Sequence, residues 1–273
     1  METLTSMGFS EDASRTALRE CNGNLSNALD WLLAMNGGEK DSSCNEDSSA
    51  PTELIVQCAI SQYSLANGRS ACSCIALCAA SILLTHFEKC SLDEEGIRNI
   101  VTADNLSHII MEGVQVYESI IGLSQAGIEH MSPEEVLQKK PDILCNNVKM
   151  VGTVQSAILS SGSFSFSSFL QLSNFGSDSV LHLRYSAIVL VKPPETIVVF
   201  IPPHSRGETP KLPFILVDSH PRPPLCEGSY AKFFRTLDSL SDSLTEIFPK
   251  LDLGPQDEMM NVMYNSIDAY MFH

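Results

Sequence analysis

The sequence predicts an α+β protein in which a helical part is followed by an antiparallel sheet. Residues 52–150 carry mostly helical patterns, and from about residue 151 the chain turns to runs of β-branched and alternating residues. Helices that precede a block of strands are typical of the α+β class. A separate and much smaller helical segment stands in front of this region.

The composition favours a folded protein of a reducing compartment. Hydrophobic residues make up 44% of the 273 residues, enough to bury a sizeable core. The formal net charge of -16 argues against nucleic acid or an anionic membrane surface as the main partner. Nine cysteines occur, and the first residues show no secretory pattern. We therefore expect free thiols and a location in the cytoplasm, the nucleus or both.

The N-terminal part divides into a helical segment and a linker. Apolar residues recur at helical spacing on both sides of the turn formed by Gly23 and Asn24. The stretch DSSCNEDSSAP that follows is acidic and rich in serine, as flexible linkers are. The predicted parts are a small helical domain at 1–40, a linker at 41–51 and a larger domain at 52–273.

Within the larger domain, the patterns predict helices first and strands later. The predicted helices are Ile75–Phe87, Leu92–Ile100, Val114–Leu123 and one opened by Ser132 and Pro133. The predicted strands are Val180–Val191, Thr196–Ile201 and Pro213–Asp218. The apolar residues of the last segment, 259–273, have helical spacing, and we expect them to pack on the domain. The alternative is a Met-rich contact with a partner.

Three cysteines lie within seven positions in the stretch NGRSACSCIALC. Their spacing is Cys-x-Cys-x3-Cys, and no second pair of ligands accompanies them, so we expect neither a metal nor a cofactor. The turn-forming residues before them place Cys72 near the N-terminus of the predicted helix, where the helix dipole lowers a thiol pKa. Cys74 lies one step further inside the helix, and both remain candidate nucleophiles.

A base and an oxyanion donor are also present in the sequence. Asp218 and His220 end a predicted strand and should point to the same side, where the carboxylate would orient the imidazole. Most Asp-x-His pairs, however, are ordinary surface residues. Gln62 is a polar residue among apolar ones, and its amide hydrogens are suited to an oxyanion. His182 is an alternative base.

Four other histidines have no carboxylate at a useful strand spacing, and we predict that they are surface residues. They are His86, His108, His130 and His204.

Four separated elements of the first 38 residues resemble the ubiquitin-associated (UBA) domain. They are Met7-Gly8-Phe9, Ala17-Leu18, Gly23-Asn24 and the terminal Trp31-Leu32-Leu33. The resemblance implies a three-helix bundle that binds ubiquitin through the Met-Gly-Phe loop and the last helix. The implied contact residues are Met7, Gly8, Phe9, Leu32 and Leu33. The alternative is a plain helical hairpin in which Phe9 and Trp31 belong to its core.

The larger domain resembles the herpesvirus tegument deubiquitinases, which are papain-like cysteine proteases. The resemblance is carried by Gln62 ten residues before Cys72, by the helix start Cys-x-x-x-Ala-Leu, and by a strand ending in Asp-Ser-His-Pro-Arg. It implies that Cys72 is the nucleophile, His220 the base, Asp218 its orienting group and Gln62 the oxyanion residue. Cys-x-x-x-Ala-Leu also occurs in ovarian-tumour-type deubiquitinases, whereas an alignment with papain selects Cys74.

Together the two resemblances imply a deubiquitinase that hydrolyses the bond after the C-terminal glycine of ubiquitin, while the UBA-like domain recruits ubiquitin chains. The expected partner is ubiquitin or polyubiquitin. Two alternatives remain at this stage. One is a non-catalytic ubiquitin receptor built on a protease-like scaffold, and the other is a protease for a ubiquitin-like modifier.

Overall fold

The structure is a computed structural model that divides the chain into two compact units. One comprises Met1–Thr52 with Arg222–Leu225, and the other comprises Glu53–Pro221 with Cys226–His273. The described residues are 15–16, 19, 54–90, 93–122, 130–145, 147–159, 164–174, 184–204, 210–252 and 258–273. The predicted UBA helices and the linker lie outside them, apart from Arg15, Thr16 and Arg19.

The second unit is built on an antiparallel sheet. Within the described residues its seven strands are β1 (Ile55–Gln57), β2 (Met150–Ile158), β3 (Ser186–Lys192), β4 (Glu195–Ile201), β5 (Phe214–Asp218), β6 (Tyr230–Phe234) and β7 (Ser266–Phe272). Their order in the sheet is β1-β6-β5-β4-β3-β7-β2, and each neighbouring pair is antiparallel.

Most helices precede the central strands along the chain. The described helices are α1 (Cys72–Lys89), α2 (Glu94–Ile100), α3 (Ala103–Ile121), α4 (Pro133–Lys139), α5 (Phe166–Asn174), α6 (Leu237–Ile247) and α7 (Glu258–Asn265). A helical part followed by an antiparallel sheet confirms the predicted α+β class.

Local capping explains where several helices begin. The Ser132 hydroxyl accepts a hydrogen bond from the Glu135 N–H, and the Glu135 carboxylate accepts one from the Ser132 N–H, so α4 starts at Pro133 as predicted. The helix predicted from Val114 is longer than expected. It begins at Ala103, because Thr102 caps it by accepting from the Asn105 N–H.

The sheet is covered on both faces, which accounts for its continuous apolar strands. In β3, Val189 packs in the cluster that contains α1 and α3, whereas the adjacent Leu190 packs in the cluster that contains α5 and α6. Alternate residues of a strand point to opposite faces, so each neighbour enters a different core. Full burial of such a side chain stabilises the fold by about 1.5–3 kcal/mol.

Helix α1 runs through the larger core. Of the helices that the structure describes, only α1 is long and apolar enough to cross a membrane, but 72% of it is buried, as in a core helix. Its first turn lies tight against α3 at Gly113, where an added Cβ would come within 2.5 Å of the Ile75 Cα. Glycine at this position therefore allows α3 to approach the start of α1.

The prediction for the last segment is partly wrong. The helix ends at Asn265, and Ser266–Phe272 form β7, because this stretch pairs with strands on both sides. The expected packing of the helical part is also wrong, since Met259 is 84% exposed and Met263 is 47% exposed.

Candidate active site

The first turn of α1 presents Cys72 at a helix N-terminus. A 3-10 turn, Gly68–Ser70, leads into Ala71, the N-cap residue of α1. Among the described residues, no side chain caps α1 at Ala71. The N–H groups of the first turn can therefore donate to a negatively charged group. Cys72 itself is buried, with its sulfur 3.8 Å from the Pro194 carbonyl oxygen.

Asp218 holds His220 through two hydrogen bonds to one carboxylate oxygen. The ring Nδ1 of His220 lies 2.6 Å from Asp218 Oδ1, and the backbone N–H of His220 donates to the same oxygen at 2.9 Å. Both side chains are buried. Because Nδ1 is engaged by the carboxylate, Nε2 is the ring nitrogen left for a thiol. The predicted arrangement of Asp218 and His220 at a strand end is therefore present.

The environments of Cys72 and His220 favour a thiolate–imidazolium pair. Burial by itself raises the pKa of Cys72, but hydrogen bonds with His130 and His220 and the charge of His220 outweigh it and lower the pKa to about 6. Burial lowers the pKa of His220, yet the charge and hydrogen bond of Asp218 raise it to about 10. Near neutral pH, Cys72 therefore carries the negative charge and His220 the positive one.

The environments of Cys74 and Cys78 raise their pKa values, in contrast to that of Cys72. Burial, together with the charges of Cys78 and Cys72, raises the pKa of Cys74 far above its usual range. Burial also raises the pKa of Cys78 to about 12. Since the thiolate is the nucleophile, these environments favour Cys72 over Cys74.

Gln62 lies in the 3-10 turn Gln62–Ser64 and is buried beside the segment that leads into Cys72. Its Nε2 donates to the Arg69 carbonyl at 3.4 Å. The amide nitrogen of Gln62 carries two hydrogens. In the described part of the chain, the Arg69 carbonyl is the one acceptor of this nitrogen, so the second hydrogen can bond to an oxyanion. Gly68 permits this packing, because an added Cβ would lie 2.0 Å from the Gln62 carbonyl oxygen.

Two groups at the site were not anticipated from the sequence. Ser219 donates from its hydroxyl to Gln62 Oε1, although its place between Asp218 and His220 gives no sign of this contact. His130, predicted as a surface residue, is exposed, and its Nε2 lies 3.5 Å from the hydroxyl of Ser70, just before α1. It lies 60 positions beyond Ser70, and no local pattern connects the two residues.

Polar contacts also fix the start of α1 against the sheet. The hydroxyls of Ser73 and Thr196 lie 3.0 Å apart and are buried, and Thr196 contributes to the lowered pKa of Cys72. The exposed ring of Tyr63 meets the His220 ring edge-on, with centroids 6.0 Å apart. These contacts limit the movement of both reacting side chains.

Metal chemistry has no evident site in the region that the structure describes. There, no group of three or more His, Cys, Asp or Glu side chains is arranged to hold a metal ion. The predicted ubiquitin-contact residues and the alternative base His182 lie outside the described residues.

The site thus combines a buried helix that begins at Cys72, an antiparallel sheet on which this helix packs, and a strand end that supplies Asp218 and His220. Residues 1–46 match the family described as the UBA-like domain, which confirms the N-terminal resemblance. The chain is also similar to a herpesvirus protease of known structure.

That structure is the ubiquitin-specific protease encoded by murine cytomegalovirus tegument protein M48, in complex with a ubiquitin-based suicide substrate. The two chains are 11% identical, with a TM-score of 0.47 over 80% of this chain and 84% of the other. No curated protein sequence matches this chain.

Proposed function

We propose that the chain is a cysteine-type deubiquitinase with Cys72 as its nucleophile. The observation that carries the proposal is the buried pair of His220 and Asp218, whose Nδ1 and Oδ1 lie 2.6 Å apart, together with a buried Cys72 thiol whose pKa His220 helps to lower. A lowered thiol pKa beside an oriented imidazole is the requirement for nucleophilic thiol catalysis. Gln62, which is buried and donates to the Arg69 carbonyl just before the helix, supports the oxyanion role.

The proposed reaction proceeds by acyl transfer. The Cys72 thiolate attacks the carbonyl carbon of the terminal glycine of ubiquitin while His220 is an imidazolium. An S–C bond forms while the negative oxygen accepts hydrogen bonds from Gln62 and the first-turn N–H groups. The C–N bond then breaks, and the leaving amine takes the proton from His220. Neutral His220 takes a proton from water, whose hydroxide cleaves the thioester; the acid product loses its proton to solvent, and the thiolate and imidazolium are regenerated.

Ubiquitin as substrate is supported by the other end of the chain. The UBA-like domain at residues 1–46 belongs to a kind of module that reads ubiquitin, so reader and protease would act on one partner. A flexible tether would raise the local concentration of a polyubiquitin chain at Cys72. We also propose a location in the cytoplasm or nucleus, because the cysteines of the described residues are free thiols.

The experiment that tests this function is reaction of the purified chain with a ubiquitin carrying a C-terminal electrophile. Intact mass is measured for the wild type, Cys72→Ala, Cys74→Ala and His220→Ala. We expect one ubiquitin adduct that is lost in Cys72→Ala and retained in Cys74→Ala. Loss of the adduct in Cys74→Ala, with the adduct retained in Cys72→Ala, would show that the nucleophile is Cys74 and that its assignment to Cys72 is wrong.

Two further outcomes would reject the proposal as a whole. Ubiquitin binding without an adduct would make the chain a receptor rather than an enzyme. An adduct with the electrophile of a ubiquitin-like modifier, and none with ubiquitin, would make it a protease for that modifier.

A further inference from the structure

The end of the sheet at which Cys72 lies also carries an exposed apolar helix. Cys72 contacts the turn between β3 and β4, since its sulfur lies 3.8 Å from the Pro194 carbonyl oxygen. Strand β7 is antiparallel to β3 and begins at this same end, with Asp268 opposite Val191. Helix α7 leads directly into β7 at Ser266. Because two strand spacings separate β7 from β4, the end of α7 lies roughly 10 Å across the sheet from the start of β4.

Exposed apolar side chains form one surface on α7 and the adjoining end of β2, here called the methionine surface. They are Met259, Met260, Val262, Met263 and Ile158. Residues three and four positions apart share a helix face, so the four side chains of α7 lie on one side of it. Ile158 is opposite Ser266 in the ladder between β2 and β7, where α7 ends. Contiguous exposed apolar surfaces mark protein interaction sites, and methionine adapts to the shape of a partner.

Buried polar contacts fix the end of α7. The side chain of Asn265 is fully buried, and its Oδ1 accepts from the Leu251 N–H at 2.8 Å while its Nδ2 donates to the Leu251 carbonyl at 2.7 Å. The Asn265 carbonyl accepts from the Leu159 N–H at the end of β2, also at 2.8 Å. The methionine surface is therefore held in place before any partner arrives, which lowers the entropy cost of binding.

The segments that carry the methionine surface are acidic. Residues 251–273 contain no lysine or arginine, and their acidic residues are Asp252, Asp257, Glu258 and Asp268. Strand β2 has no charged residue, and its Gln155 donates to the carboxylate of Glu134 on α4. Lys250 comes just before this segment, and Lys192, at the end of β3, is buried. An apolar surface in an acidic setting is complementary to a partner whose apolar patch has a basic border.

We propose that the methionine surface binds the ubiquitin whose C-terminal glycine is attacked by Cys72. The inference rests on the proposed function and deepens it, because it assigns where the folded part of the substrate lies. Ubiquitin has the required chemistry, an apolar patch bordered by basic residues. A folded domain of fewer than about 100 residues is roughly 30 Å across, so one ubiquitin with its tail at Cys72 can also contact α7.

The test is steady-state hydrolysis of a ubiquitin–fluorophore substrate by variants of Met263 in the 273-residue chain. The variants are Met263→Leu, Met263→Lys and Met263→Glu. Each is also made together with Met7→Ala/Phe9→Ala, so that ubiquitin binding by the N-terminal domain is separated. Met150→Lys is the matched control, because Met150 is 41% exposed against 47% for Met263. Met150 lies at the other end of β2, roughly 25 Å from Ile158 at about 3.3 Å per residue.

We expect Met263→Lys to raise KM on the order of tenfold while kcat changes by less than about twofold, because the surface binds substrate away from the reacting atoms. Met263→Glu should raise KM less, since its charge suits a basic border. Met263→Leu and Met150→Lys should match the wild type. Alkylation of Cys72 by iodoacetamide and thermal unfolding should be the same in every chain, because the substituted side chains are exposed.

Three results would overturn the inference. They are an unchanged KM in Met263→Lys, equal rises of KM in Met263→Lys and Met263→Glu, and a wild-type dimer in sedimentation that becomes a monomer in Met263→Lys. The last result would place a second copy of this chain on the methionine surface. If the wild type reacts with the ubiquitin electrophile and KM does not change, the inference fails and the proposed function stands. No adduct with the wild type would reject the proposed function, and the inference with it.

Discussion

The hydroxyl of Ser219 donates a hydrogen bond of 2.9 Å to Oε1 of Gln62. The backbone N–H of Gln62 in turn donates to the Ser219 carbonyl oxygen at 3.1 Å. Ser219 lies between Asp218 and His220, so the strand end that orients the base also orients the candidate oxyanion residue. With Oε1 occupied, the amide of Gln62 has one orientation, in which Nε2 faces the segment before Cys72.

Ser219→Ala should lower kcat for a ubiquitin–fluorophore substrate by roughly fivefold to tenfold, since it removes a neutral hydrogen bond of about 1 kcal/mol from a positioning contact. KM should change little, because the contact acts on the transition state. The rate of Cys72 alkylation should be unchanged. Steady-state kinetics and alkylation of the same sample separate the two effects.

The control for this variant is Ser241→Ala on α6, whose hydroxyl accepts a bond from the Ser167 N–H. It should leave kcat unchanged. A fall in alkylation in Ser219→Ala as large as the fall in kcat would mean that Ser219 supports the whole site and not Gln62 in particular.

Asp218→Asn should narrow the pH range in which the enzyme works. In the wild type the thiolate forms as pH rises through the Cys72 pKa of about 6, and the imidazolium is lost as pH rises through the raised pKa of His220. Without the carboxylate charge, His220 loses its proton at lower pH, by at least about one unit. The Cys72 pKa should rise at the same time, because its cationic partner is less populated.

The measurement is the pH profile of kcat/KM, whose two limbs belong to the coupled pair. Asp238→Asn, an exposed carboxylate on α6 that accepts from the Ser167 hydroxyl, serves as the control and should leave the profile unchanged. An Asp218→Asn profile with an unmoved alkaline limb would contradict the assignment of Asp218.

Gly113→Ala should destabilise the fold although alanine is the better helix former. The added Cβ would meet the Ile75 Cα at 2.5 Å and the Ile75 nitrogen at 2.8 Å, and backbone cannot rotate away. Overpacking of this kind costs about 1–3 kcal/mol, against a propensity gain of about 1 kcal/mol. Because Ile75 is in the first turn of α1, kcat should fall as well.

Urea unfolding of Gly113→Ala tests this contact, with Gln115→Ala as the control. Gln115 is exposed on the same helix, so its variant should be as stable as the wild type or slightly more stable. Equal stability of the two variants would show that α3 adjusts to the extra methyl group.

Met7→Ala/Phe9→Ala should weaken binding to polyubiquitin by at least about tenfold without altering the thiol, because two binding elements on one tether act together. Cleavage of polyubiquitin should slow, while hydrolysis of a mono-ubiquitin fluorophore should not. Surface plasmon resonance on immobilised polyubiquitin measures the affinity, with Glu11→Ala as the control. If the rate of mono-ubiquitin hydrolysis fell as much as the rate of polyubiquitin cleavage, residues 1–46 would not act by recruiting polyubiquitin.

Much of the scaffold follows from local patterns in the sequence. The capping box at Ser132 and the apolar run from Ile75 act through residues three or four positions apart, so they can be recognised without a fold. The helical prediction for residues 266–272 was wrong, because this segment is a strand only through its pairing with β3 and β2. Tertiary pairing overrides a weak helical period.

By itself, the sequence determined the kinds of groups at the site: a thiol at a helix start, and a carboxylate two residues from a histidine at a strand end. Local spacing was enough for these, because helix and strand geometry fix which neighbours share a side. The environments that favour Cys72 over Cys74 exist only in the tertiary structure, since burial and the charge of His220 act on the pKa values of these thiols. The bond between Ser219 and Gln62, which are 157 residues apart, and the contact of His130 with Ser70 arise from chain packing that no local pattern records.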